Sequence, residues 1–152
     1  MQPILGLFSN HVLLAALLGW FVAQALKIPI HYHVEHTLDF GRFFGSGGMP
    51  SSHSSMVTAA AVMTGATAGF DSAVFAISVV LAMIVMYDAA GVRRETGTQA
   101  VVINQILKDV LINGKKISDE ELKELVGHTP LEVLGGSLTG LMVAVVYLII
   151  LF

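Results

Sequence analysis

The chain has 152 residues, of which 55% are hydrophobic and only 12% charged, and its mean hydropathy is +0.76. A composition this apolar excludes an ordinary soluble domain and indicates an integral membrane protein. The chain lacks cysteine, which excludes disulfides and thiol chemistry, and its formal charge of −3 without a basic arm gives no sign of a nucleic-acid partner.

Four apolar stretches are each long enough to form a transmembrane helix. They cover about residues 4–26, 50–68, 72–90 and 130–152. The first stretch lacks a positively charged start and a small-residue cleavage site, so we interpret it as a retained span rather than a signal peptide. We therefore expect one all-α membrane domain over residues 1–152, a small bundle of about four transmembrane helices with additional interfacial helices.

The spans differ in composition, and this predicts where each lies in the bundle. The second is full of Ala, Ser, Thr and Gly, which let helix backbones approach closely, so we expect it inside the bundle. The third is rich in Val, Ile, Met and Leu, which suits a helix facing lipid. Gly136 and Gly140 in the last span form a small-xxx-small pair suited to packing against the second span.

Two polar segments connect the spans. Residues 28–50 are expected to form a polar connection, part of it a short interfacial helix. Residues 96–126 mix an amphipathic stretch with a short polar helix that begins at a capping box, Ser118 to Glu121. A second capping box, Thr129 to Glu132, opens the last span with proline at the first helical position.

This topology places all 8 Lys and Arg residues on one side of the membrane. The positive-inside rule makes that side cytoplasmic, so we expect a multi-pass protein of the cell membrane with both termini outside. Four helices of this length bury little surface, which makes a homodimer plausible.

A small, Gly-rich polar stretch, Gly47–Ser55, leads into the second span. Pro50 suits the first helical position because its ring presets φ, and the N–H groups of the following turn lack acceptors within the helix. Such a helix start, near Ser51 and Ser52, is an anion site, and His53 would hold a titratable ring beside the anion. The alternative is a loop that caps a helix, with His53 an incidental polar residue.

Further charged residues and a second histidine fall at helix ends on the same side. The full set is Lys27, Arg42, His53, Asp88, Arg93, Arg94, His128 and Glu132. Cations, two imidazoles and a helix N-terminus are groups that bind phosphate. Ordinary interpretations stay open: Lys27 as an interfacial anchor and Arg42 as a solvated loop charge. Asp88 with Arg93 and Arg94 could equally form a local ion pair.

Two of these stretches resemble signatures of a known superfamily. Pro50-Ser51-Ser52-His53 resembles the second signature of the type 2 phosphatidic acid phosphatase superfamily, usually Pro-Ser-Gly-His. The stretch from His128 to Gly136 resembles its third signature, in which His, three residues and Asp precede Val-Leu-Ala-Gly. The whole chain is similar to the divergent small bacterial branch of this superfamily, which is related to the vanadium haloperoxidases.

The resemblance implies a membrane-embedded phosphatase that hydrolyses a lipid phosphate or diphosphate without a metal or other cofactor. His128 would attack phosphorus and form a phosphohistidine, Glu132 would hold its ring, and His53 would supply the proton to the leaving group. The implied substrate-binding residues are Lys27, Ser51, Ser52, Asp88, Arg93 and Arg94.

Two other functions stay open from the sequence. The chain departs from the superfamily by a long insertion between Arg94 and His128 and by fewer spans, which favours a non-catalytic phospholipid-binding or transport protein that keeps the phosphate pocket. His31, His33 and His36 could bind zinc or copper if an extended backbone brought the first two to one side. The ordinary alternative is an interfacial loop with polar rings.

Overall fold

The structure is a computed structural model that describes residues 6–45, 47–91, 97–104, 106 and 128–151. Four long helices make up most of it: α1 (His11–Glu35), α2 (Ser52–Ala68), α3 (Ala73–Ala90) and α4 (Pro130–Leu151). Short 3₁₀ helices lie at Gly6–Ser9 and Phe40–Phe43, and residues 97–104 are also helical. No strand occurs among these described residues, and the predicted all-α helical bundle is confirmed.

Three of the described helices, α1, α3 and α4, are long and apolar enough to cross a membrane. The helix α2 has 17 residues, and small and hydroxyl side chains make up most of it. Of the predicted segment 96–126, residues 97–104 are helical, whereas most of the remainder, including the Ser118 capping box, lies outside the described residues.

The helix α1 begins and ends later than the expected span of residues 4–26. The side chain of Asn10 caps its start by accepting the N–H of Leu13 at 3.0 Å. The helix then continues through Pro29, which removes a single backbone hydrogen bond, and ends where His36 adopts a left-handed φ of 55°. Part of the expected polar connection is therefore the last two turns of α1.

The short helix α2 occupies the centre of the bundle, where it packs against α1, α3 and α4. Its buried residues are Ser52, Ser54, Ser55, Ala59, Ala61, Met63, Thr64 and Gly65. This confirms the prediction that the small-residue span lies inside, because only short side chains let three neighbours approach one helix so closely.

Glycines in the neighbouring helices make this close packing possible. A Cβ atom on Gly19 of α1 would lie 3.1 Å from the Cβ of Ala59 in α2. On α4, a Cβ at Gly136 or Gly140 would collide with the backbone carbonyl of Ser51 or Ser55, respectively. The predicted packing of the Gly136–Gly140 pair against the second span is therefore confirmed, and it fixes α4 tightly along α2.

The helix α3 lies on the outside of the bundle, as predicted for a lipid-facing helix. Its buried residues are only Ala82 and Ala89, and Ile77, Met83 and Ile84 are all more than half exposed.

At the opposite end of the molecule from the polar loops, Nδ1 of His11 lies 3.1 Å from the hydroxyl of Tyr147. This contact joins the start of α1 to the end of α4.

Candidate active site

His128 lies where the end of α3 meets the start of α4. Its backbone N–H donates to the carbonyl oxygen of Ala89 at 3.0 Å, and only 2% of the residue is exposed. A buried imidazole at a helix start has its orientation determined by its neighbours, so the partner of its ring decides what chemistry it can do.

That partner is the Glu132 carboxylate, one helical turn further along the chain. Nδ1 of His128 lies 3.1 Å from Oε2 of Glu132, and the same oxygen accepts the N–H of Thr129 at 3.0 Å. The N–H of Glu132 donates to the Thr129 hydroxyl at 3.3 Å, which completes the predicted capping box. Because an ionised carboxylate only accepts hydrogen bonds, it pairs with a protonated Nδ1, and in the neutral imidazole this leaves the lone pair on Nε2.

His53, in the first turn of α2, brings a second imidazole to this point. The centroids of the His53 and His128 rings are 6.0 Å apart, and their planes meet at 64°. The two histidines are distant in sequence, yet the packing of α4 on α2 brings their rings together. The structure thus brings together the three residues predicted to be catalytic.

The start of α2 differs in detail from the prediction, which placed Pro50 at the first helical position. The N-cap is Ser51, whose hydroxyl accepts the N–H of Ser54 at 3.3 Å, so Pro50 precedes the helix. The N–H of Ser51 donates to the backbone carbonyl of Glu132 at 3.0 Å and is therefore not available to a ligand. The N–H of Ser52, in the first turn, has no acceptor within the helix.

Lys27 is 3% exposed and lines a pocket of about 230 Å³ between the end of α1 and the loop before α2. Its ammonium donates to the carbonyl oxygen of Gly45 at 3.1 Å. Glu132 lines the same pocket, so this one residue borders both the His128 ring and the Lys27 ammonium. We call this space the polar pocket.

Arg42 also lines the polar pocket, although the sequence favoured a solvated loop charge. Its side chain is 45% exposed and lies 3.5 Å from the Asp39 carboxylate. The sequence placed Arg42 on the same side as Lys27 but could not show that they share a pocket, because fifteen positions separate them and only the fold of the intervening loop brings both to one space.

The remaining residues predicted to bind substrate are Asp88, near the end of α3, and Arg93 and Arg94. Asp88 is half-buried and directly precedes Ala89, whose carbonyl holds His128, so it lies at the same end of the bundle. Arg93 and Arg94 lie outside the described residues, and their predicted role stays a prediction.

The metal hypothesis required an extended backbone at His31 and His33, and this expectation is wrong. Both residues belong to α1, where positions two apart point to different faces. His31 instead lies 3.7 Å from the Glu35 carboxylate, one turn along. Within the described part of the chain, no group of three or more His, Asp or Glu side chains is arranged to hold a metal ion.

Comparison with known proteins gives two findings. The sequence profile of the Divergent PAP2 family matches residues 8–143. The uncharacterized membrane protein YuiD of Bacillus subtilis (strain 168) is 41% identical over 150 residues, which covers 92% of this chain and 95% of that protein. No solved structure matches the chain. Because both matches extend over most of its length, the chain belongs to the Divergent PAP2 family.

Proposed function

We propose that this protein is a membrane-embedded phosphatase that hydrolyses a lipid phosphate or diphosphate through a phosphohistidine at His128. The observation that carries the proposal is the pairing of His128 with Glu132 at 3.1 Å, beside the ring of His53. A nucleophile, a group that orients it and a second titratable ring are the parts that covalent phosphoryl transfer needs.

In the first step, Nε2 of His128 attacks phosphorus and the bond from phosphorus to the leaving oxygen breaks. The ring becomes cationic as the N–P bond forms, and the Glu132 carboxylate at Nδ1 stabilises that charge. His53, carrying a proton in this step, donates it to the leaving alcohol or phosphate oxygen.

In the second step, water attacks the phosphohistidine and the N–P bond breaks. His53, now neutral, accepts the proton of the attacking water, which returns both imidazoles to their starting states. Inorganic phosphate is released, and the lipid product of the first step carries one phosphoryl group fewer than the substrate.

The charge on the transferred group is balanced by the surrounding cations and amides. The Ser52 N–H at the start of α2 is available to an oxyanion, since helix N-termini favour negative charge. Lys27 and Arg42 supply positive charge from the polar pocket, and Arg93 or Arg94 is proposed to complete the set. We propose that the site lies on the cytoplasmic side of the cell membrane, because the expected topology puts all 8 Lys and Arg residues on one side, and positively charged residues favour the cytoplasmic side. The homodimer stays a prediction.

The test is release of inorganic phosphate by the purified protein in detergent, measured over a panel of lipid phosphates and diphosphates. The variant His128→Ala is expected to lose activity by at least about 10³-fold, as removal of a covalent nucleophile does in other enzymes. Brief incubation of the unmodified protein with labelled substrate should leave an acid-labile, base-stable phosphoryl label that this variant lacks.

The matched control is His33→Ala, which removes an exposed histidine of α1 and should keep full activity. Equal turnover by His128→Ala and the unmodified protein contradicts the proposal. Tight binding of lipid phosphates without turnover of any of them would favour the alternative, a non-catalytic phospholipid-binding or transport protein.

A further inference from the structure

An apolar groove runs along the seam between α1 and α4 on the outside of the bundle. Its volume is about 310 Å³, within the range of pockets that hold small organic ligands. It is lined mainly by Leu18, Val22, Leu26, Thr139, Val143 and Val146. Leu18 and Leu26 are each about two-fifths exposed, so the groove is open to the hydrocarbon of the membrane.

One inclined row of α1 contributes residues first to the groove and then to the polar pocket. Leu18, Val22 and Leu26 follow one another at intervals of four residues, which places them on one face of the helix. The next two positions of that row, Ile30 and Val34, line the polar pocket. From Leu18 to Leu26 the row covers about 12 Å along the helix axis.

The helix α4 forms the second wall of both spaces. Glu132 lines the polar pocket, and Thr139, two turns further along, lines the groove. Val143 and Val146 continue the same face of α4 towards the middle of the helix. Residues of α1 and α4 thus line both spaces, which we together call the α1–α4 seam, with Glu132, the partner of His128, at its polar end.

The polar pocket holds two cationic side chains, Lys27 and Arg42, together with two acids, Glu35 and Glu132. Glu132 is paired with His128 at 3.1 Å. Lys27 uses one N–H on the Gly45 carbonyl, and an ammonium has three such donors, which leaves capacity for phosphate oxygens. A buried ammonium beside an apolar track matches an amphiphile with an anionic head.

We propose that the α1–α4 seam binds one hydrocarbon chain of a phosphate-bearing lipid, with the anionic head of that lipid at Lys27. The inference rests on the proposed function for the chemical identity of the lipid head. It adds that α1 and α4 bind the hydrocarbon chain of the lipid. Because the seam binds the hydrocarbon chain as well as the head, a short-chain phosphate with the same head is a much poorer substrate.

The first experiment measures binding without turnover. A long-chain alkyl phosphonate, whose P–C bond resists hydrolysis, carries a diazirine at mid-chain and is irradiated with the full-length protein in detergent. Adducts are expected on groove residues of α1 and α4, and Lys27→Met should reduce them because the head no longer anchors the chain. Adducts as heavy on α3 as in the groove, or exclusion of the phosphonate by a second copy of the chain, would overturn the inference.

The second experiment compares substrates. Val143→Phe, which fills the groove, should lower kcat/KM at least tenfold more for a long-chain lipid phosphate than for a short-chain one. The control Val80→Phe places the same ring on lipid-exposed α3 and should leave both values unchanged. An equal loss for both substrates overturns the inference but leaves the phosphatase standing. If adducts form in the groove but no substrate releases phosphate, the proposed phosphatase activity is contradicted, whereas lipid binding in the α1–α4 seam is supported.

Discussion

The helices α2 and α3 are adjacent in sequence and nearly equal in length, yet they occupy opposite environments. The helix α3 is the more apolar, and its buried residues are two alanines. The helix α2 carries three serines and a histidine in its first turn and a half, and it lies in the centre of the bundle with eight buried residues.

The difference shows what forms an interior in a membrane protein of this size. Lipid tails are as apolar as leucine, so large hydrophobic side chains gain nothing by turning inward. Small residues do gain, because backbones that approach closely make many van der Waals contacts and allow hydrogen bonds between helices. The same close packing of α2 brings the ring centroid of His53 to 6.0 Å from that of His128.

The largest effect is expected where α4 touches α2. Gly140→Leu would drive a side chain into the Ser55 backbone, whose Cα would lie 2.9 Å from the new Cβ. Backbone cannot move aside without separating the helices, so the variant should fail to give folded, monodisperse protein. Size-exclusion chromatography and circular dichroism in detergent measure the outcome.

The counterpart on α3 is Val80→Leu, at a position that is 55% exposed, and it should behave as the unmodified protein does. A folded Gly140→Leu variant, or a comparable loss with Val80→Leu, would contradict the contrast between an interior α2 and an exterior α3.

The second effect sharpens the comparison at the site. His53→Ala, at the start of α2, should reduce phosphate release by about 10²–10⁴-fold, as loss of a general acid does, while the protein stays folded. Tyr87→Phe, in the last turn of α3 and 79% exposed, should change the rate by no more than about twofold. Similar rates for His53→Ala and Tyr87→Phe would remove His53 from the mechanism.

The smallest effect concerns one hydrogen bond between helices. The Ser55 hydroxyl of α2 donates to the Gly19 carbonyl of α1 at 2.8 Å, so Ser55→Ala should lower the free energy of unfolding by about 1 kcal/mol. The Ser78 hydroxyl of α3 donates within its own helix, to Phe75, so Ser78→Ala should have almost no effect. Reversible unfolding in mixed micelles measures both, and an equal change in the two variants would contradict the comparison.

Composition and local motifs were enough to predict much of this molecule. The small residues of α2 predicted a helix inside the bundle, and the large apolar residues of α3 predicted a helix on its outside. Both predictions work because side-chain size decides which helices of a membrane protein pack closely. The Thr129–Glu132 capping box was predictable because its two partners are three residues apart and every contact is local.

Features that depend on distant contacts were not predictable from one sequence. The first span was expected to end near residue 26, yet α1 continues through Pro29 to Glu35, since a single missing hydrogen bond is tolerated within a long helix. The same continuation separates His31 from His33 and removes the basis of the metal hypothesis. The sharing of the polar pocket by Lys27 and Arg42 depends on how a whole loop folds back.

Glu132 has a consequence that reaches beyond its carboxylate. Its backbone carbonyl accepts the N–H of Ser51, and the carbonyl of Ala89 accepts the N–H of His128. These two hydrogen bonds hold the end of α3 and the starts of α2 and α4 together beside the two imidazoles, and so set the spacing of the two rings. We therefore expect a change in the length of the segment between α3 and α4 to leave the two histidines in register.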